Sequence, residues 1–231
     1  PGINVANTVS GTGTVTVSGG TMIGGGAPWT HTGPTNVTGG SISAGFNTPG
    51  RLTVTGTGVV QTGDSFFGSL AGTAAASVSS NATAITIGSD NTSTTFSGQL
   101  AGTGGITKVG TGRLTLSGSP LTWGGTTTVS AGVLQIGNGA TGPNFFGSPM
   151  IVNGEIDFAG TVPGINVANT VSGTGTVTVS GGTMIGGGAP WTHTGPTNVT
   201  GGSISAGFNT PGRLTVTGTG VVQTGDSFFG S

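Results

Sequence analysis

Short apolar runs alternating with small polar residues recur along the chain. They include "TVTVSGG" at 14–20, "RLTVTG" at 51–56, "AITIGS" at 84–89, "RLTLSG" at 113–118, "TTTVSAG" at 126–132, "VLQIGNG" at 133–139 and "EIDFAG" at 155–160. Each is rich in Val, Ile, Leu or Thr and closes on Gly, Ser or Asn, the pattern of a strand with one face inward and one outward. No stretch combines helical apolar spacing with a capping signal, and glycine at this density penalises a helix by about 1 kcal/mol per residue. The pattern predicts an all-β protein with negligible helix.

Residues 1–69 recur without a change as residues 163–231, an offset of 162. The chain therefore reads as one full unit, 1–162, followed by the first part of the next, 163–231, within a tandem array. Older, degenerate repetition lies inside the unit: "TGDSFFGS" at 62–69 returns as "TGPNFFGS" at 141–148, and "GRLTVTG" at 50–56 as "GRLTLSG" at 112–118. The unequal spacing of these pairs suits stacked coils with variable corners. Strands this short, without charged or proline-rich linkers, predict one continuous right-handed parallel β-helix over residues 1–231. Tandem β-sandwich domains are the alternative. Coils of roughly 20 to 25 residues would give seven or eight per unit and a rise near 35 to 40 Å at ~4.8 Å per coil.

Composition narrows the function. Glycine supplies 52 of 231 residues, charged residues only 4%, and the net charge is −1. Such a chain has no basic footprint for nucleic acid and no polybasic segment for anionic lipid. With no cysteine, disulfides and thiolate metal sites are excluded. No apolar run approaches the ~18 residues of a membrane helix, and no signal peptide opens the sequence. A chain opening on Pro1 reads as a processed or excerpted piece.

The few chemically capable residues have plain structural readings. Lys108, in "GTGGITKVGTGRLTLSG" (102–118), lacks the Gly-Lys-Ser/Thr of a phosphate loop and reads as a solvent-facing lysine on a short strand. "GNGATG" (137–142), with Asp157 twenty residues beyond its first glycine, fits a dinucleotide fingerprint only if a helix follows, and turn and strand follow instead. Glu155 and Asp157 leave the same strand face. They suit glycoside hydrolysis or Ca²⁺ binding on paper, but read as a solvated pair keeping an outer face polar. His31 and His193, in "PWTHTGP", read as a corner leaving the coil with Trp29 packed on it. One Phe of each doublet, Phe66-Phe67 and Phe145-Phe146, is expected to plug a corner. The Thr pairs beginning at 14, 53 and 126 are not spaced by one coil length, as an ice-binding face would need. Sequons stand at Asn36, Asn81, Asn91 and Asn198. No catalytic, cofactor or metal residue is assigned.

The stretch Thr94–Gly139 resembles the autotransporter-associated β-strand repeat of bacterial surface proteins. It matches that pattern at Ile106, Thr107, Lys108, Gly110, Gly112, Leu114, Thr115, Leu116, Ser117, Gly118, Gly125, Thr126, Thr127, Val129, Gly132 and Leu134, with Trp123 at a position usually held by Tyr. The resemblance implies the β-helical stalk of a secreted passenger region or giant adhesin. The expected function is thus a structural repeat of an extracellular bacterial fibre or adhesin stalk, without catalysis or cofactor. Its expected partners are neighbouring identical repeats, through lateral or head-to-tail contacts, and surface polysaccharide. A carbohydrate-binding or polysaccharide-degrading β-helix is the alternative, and an ice-binding adhesion module a weaker one.

Overall fold

The computed structural model describes residues 2–5, 7–24, 29–43, 47–139, 148–160, 165–167, 170–186, 191–205, 210–223 and 229–230. Every regular element among them is a strand, and successive coils pair in parallel, as in Val133–Ile136 on Arg113–Leu116 and Glu155–Ala159 on Val133–Ile136. Parallel ladders between coils make this a β-solenoid and exclude the antiparallel sandwich.

The strands of the described residues fall on three faces. The first face stacks Gly2–Val5, Thr21–Gly24, Ser41–Ser43, Val59–Thr62, Ser77–Ser80, Gln99–Gly102 and Leu121–Trp123, and resumes with Ile165–Val167, Thr183–Gly186, Ser203–Ser205 and Val221–Gln223. The second includes Ala84–Ile87, Gly105–Lys108, Thr127–Val129 and Met150–Val152. On the third face, coils 1 to 8 contribute Val15–Val17, Thr35–Val37, the later part of Thr48–Val54 and of Ser65–Gly72 (their first residues, Thr48 and 65–67, lie on the second face), Thr94–Phe96, Arg113–Leu116, Val133–Ile136 and Glu155–Ala159. Coil 9, Thr176–Gly181, contains the copy of Val15–Val17, so the 162-residue unit winds eight times. That is a rise of about 38 Å per unit at 4.8 Å per coil.

Period-two alternation becomes apolar ladders inside the coil. One on the third face runs Val17, Val37, Val54, Gly72, Phe96, Leu116, Ile136, Phe158, Val179 and Val199. Gly72 is required by its neighbour: a Cβ there would stand 2.7 Å from the Phe96 ring. The fully buried Phe96 thus fills space that the coil below vacates. Corners are tied by side-chain oxygens that accept amides from the next coil: Asn47 from Phe66 (2.9 Å), Asp64 from Thr83 (2.8 Å), Asn91 from Thr111 (2.9 Å) and Ser93 from Arg113 (3.0 Å). Asn, Asp and Ser suit these turns because their short oxygens reach a neighbouring N–H.

The duplicated segment stands in two surroundings. Val15 and Met22 are half-buried, but their copies Val177, with coil 8 beneath it, and Met184, one coil higher and paired with Ile165, are buried. At the other end Val54 is fully buried, while its copy Val216, in the last third-face strand, is 46% exposed. Ile3 belongs to an inward ladder with Met22 and Ile42 and is still 71% exposed in the first coil. Coils therefore bury one another, each covered valine or isoleucine gaining about 1.5 to 3 kcal/mol.

Candidate functional site

Lys108 is not solvent-facing. It is 1% exposed and sits in an inward column, paired with Ile87 below and Val129 above. Alternation puts it there: in Gly105–Lys108, Ile106 and Lys108 share a face and Thr107 opposes them. The ammonium is met by backbone, donating to the carbonyls of Val109 (2.6 Å), Gly110 (3.0 Å) and Ala131 (3.4 Å). The last belongs to the following coil, so the cation pins two coils at one corner. Burial lowers its pKa from the ordinary lysine value, and the negative charge of Asp90 partly offsets this. Charge alone points to a surface lysine; alternation is the stronger constraint and places it inside.

A polar chain climbs the outer third face. Arg113 donates from Nη1 to Gln135 Oε1 (2.7 Å) and, one coil further, to Asp157 Oδ2 (3.2 Å). Asp157 Oδ1 accepts from Ser180 (2.6 Å), and Glu155 Oε1 accepts from Thr178 (3.0 Å). Asp157 is buried, which corrects the reading of a solvated pair. Three of the four carboxylate oxygens are held by donors of this chain, an arrangement suited to tying coils together rather than to activating a substrate.

The histidines do not leave the coil. Thr30 and Thr32 donate their amides to Val9 (2.9 Å) and Gly11 (3.0 Å) of coil 1, and Trp29 and His31 point inward, both buried. Nε2 of His31 donates to the Gly13 carbonyl (2.6 Å), and Nε2 of His193 to that of Gly175 (2.8 Å). A carbonyl only accepts, so the ring proton is on Nε2, and Nδ1 is buried without a hydrogen-bond partner in both residues. Burial lowers the His193 pKa, partly offset by the Gly175 hydrogen bond. The folded state then binds fewer protons than the unfolded one below about pH 6.5, so this contribution is complete above that pH and is lost as pH falls. The melting temperature is expected to drop between pH 7.5 and 5.5, and to drop less in His193→Gln. Equal slopes in the two proteins would refute the assignment.

The remaining candidates disperse. Phe67 is buried between Thr48 and Ile87 while Phe66 is half-buried; Phe145 and Phe146 lie outside the described residues. In "GNGATG" only Gly137, Asn138 and Gly139 are described, and the next described element is the strand Met150–Val152. Thr16 and Thr53 flank Asn36 on the third face, while Thr127 points inward on the second. Asn81 is exposed, and the Asn91 side chain is occupied by Thr111. A surface depression of about 500 Å³ lies beside Asp64, Phe66 and Thr86, but Asp64 Oδ1 already accepts the amides of Thr83 and Ala84. No group of three or more His, Asp or Glu suited to a metal occurs among the described residues. Sequence reasoning missed the internal polar link in which Trp123 Nε1 donates to Thr127 Oγ1 (2.8 Å), which meets Ser148 Oγ (3.0 Å).

The strands that carry the buried lysine and Arg113 lie in a stretch that is similar to a known repeat family. Residues 106–136 match the family model of the Passenger-associated-transport-repeat. Within that stretch lie Lys108, its acceptors at 109, 110 and 131, and the Arg113–Gln135 contact, so the repeat motif coincides with a solenoid corner and the ladder beside it. No curated protein and no solved structure matches the chain.

Proposed function

We propose that this chain is a length of an extracellular structural array, a bacterial surface fibre or adhesin stalk. In this reading 162-residue units stack into one continuous solenoid and perform no catalysis. The observation that carries the reading is the burial of Val177 and Val179 on coil 8, where the same residues in the first coil are more exposed. A unit of this kind is completed by the unit before it. The match at residues 106–136 to a repeat of secreted passenger regions supports the extracellular setting.

The reading makes length the functional variable, since apolar burial and backbone pairing add up coil by coil. The few cleavable basic residues per unit, Arg51, Lys108 and Arg113, suit persistence among trypsin-like proteases. Proteins built from one, two and three units are expected to appear by cryo-electron microscopy as rods that lengthen by about 38 Å per unit with a ~4.8 Å layer spacing. Beads on a string, or a length that does not follow unit number, would overturn it.

A further inference from the structure

The boundary between residues 1–162 and the copy that follows is an interface of one unit with the next, and it carries two hydroxyl-to-carboxylate contacts, a kind also seen inside the unit between Ser69 and Asp90 (2.6 Å). On the third face, the outward column near the start of the unit runs Thr16, Asn36, Thr53 and Ala71, without a charge. The rung at the boundary places Glu155 against Thr176 and Asp157 against Thr178. The pairing also slips there: Phe158 faces Val179 but Ala159 faces Gly181, so Ser180 is an extra residue in the upper strand. Such a bulge interrupts the backbone ladder. The bulged residue is the one whose hydroxyl reaches Asp157, at 2.6 Å, while Thr178 reaches Glu155 at 3.0 Å.

The first copy provides the comparison. Thr16 and Ser18 are exposed, whereas of their copies Thr178 is half-buried and Ser180 stays exposed, and the strand around Thr16 spans only Val15–Val17. Over coil 8 the same sequence forms the six-residue strand Thr176–Gly181. Asp157 is fixed from below by Arg113, which also holds Gln135 in the coil between, so one half of the contact is ordered by the unit that offers it.

We propose that Glu155 and Asp157 form the latch of the joint between units, and that the partner they fit is the Thr-x-Ser pair of a following copy, Thr178 and Ser180 here. Charge-assisted hydrogen bonds from hydroxyl to carboxylate are shorter and stronger than neutral ones, and they join the two coils where the bulge breaks the backbone pairing. The surface presented by Thr16 and Ser18 in the first coil is the matching receptor for coil 8 of another copy of the unit. This last statement rests on the array reading; the latch itself lies within the 231 residues.

The duplicated sequence supplies a matched test. In the full chain, Thr178→Val with Ser180→Ala is expected to lower the folded-to-unfolded ratio in urea by about tenfold. The same substitutions at Thr16 and Ser18 are expected to leave it within about twofold. Thr178→Ser on the Ser180→Ala background, which retains one hydroxyl, is expected to recover part of the loss. Equal losses from the two pairs, or none from the second copy's pair, would overturn the latch. Failure of rods to lengthen would instead refute the array while leaving this comparison intact.

Discussion

Gly102→Ala is expected to destabilise the protein by about 4 kcal/mol, the sum of backbone strain and overpacking at a site that cannot relax. Gly102 ends the first-face strand Gln99–Gly102 with φ +134°, a conformation that L side chains rarely adopt, and a Cβ there would overlap the carbonyl oxygen of Ser80 in the coil below. That carbonyl accepts the amides of Thr103 (3.0 Å) and Gly104 (3.4 Å). The methyl group would therefore push apart the coils that these bonds join. Gly13→Ala is the control, since a Cβ at Gly13 meets nothing within 4 Å. It is expected to be near neutral, the smaller entropy of the unfolded chain offsetting any loss. Urea midpoints for the two variants decide the matter; equal midpoints would mean that close backbone approach at this corner contributes nothing.

Lys108→Ala is expected to cost about 3 kcal/mol, from the cavity left by a buried four-carbon stem and from carbonyls deprived of their donor. Lys108→Met restores the packing but not the donors and should recover part of that cost. The alkaline behaviour is unusually clean, because Lys108 is the sole lysine and the chain has neither Tyr nor Cys. Burial lowers the Lys108 pKa below 10.5. Between the lowered value and 10.5 the unfolded state binds more protons than the folded one, so stability rises with pH across that window. The rise is expected in the native protein and absent in Lys108→Met. An amine-reactive reagent should modify Lys108 only on unfolding; rapid modification of the folded chain would contradict its burial.

These two sites mark the boundary of what the linear pattern reveals. Alternation in runs such as "AITIGS" and "RLTLSG" establishes that these segments are strands, and which residues face inward, because side chains alternate across a strand whatever lies beyond it. The same rule, applied without regard to charge, places Lys108 beside Ile106 and His31 beside Trp29. Arg51 and Arg213 do mark the surface, but Lys108 and the two histidines do not. The burial of both is possible because corner carbonyls, packed closely where glycines permit, supply the acceptors that water would otherwise provide.

An all-β chain of short strands, a 69-residue segment that recurs at an offset of 162 and a repeat motif within Thr94–Gly139 are all legible in the linear order of residues. Which strands are neighbours is not, since the distances of about 20 residues between partners vary from coil to coil with corner length; stacking settles it. Stacking also brings Asp157 to Arg113 and Ser180, groups separated by two coils below and one above. Those contacts depend on vertical register, a property of the stack that no local pattern encodes. The clearest case is the duplicated segment, in which one sequence has two burial patterns. What differs between Val17 and Val179 is whether a coil lies beneath, because apolar burial depends on the surface that covers a side chain as much as on the side chain itself.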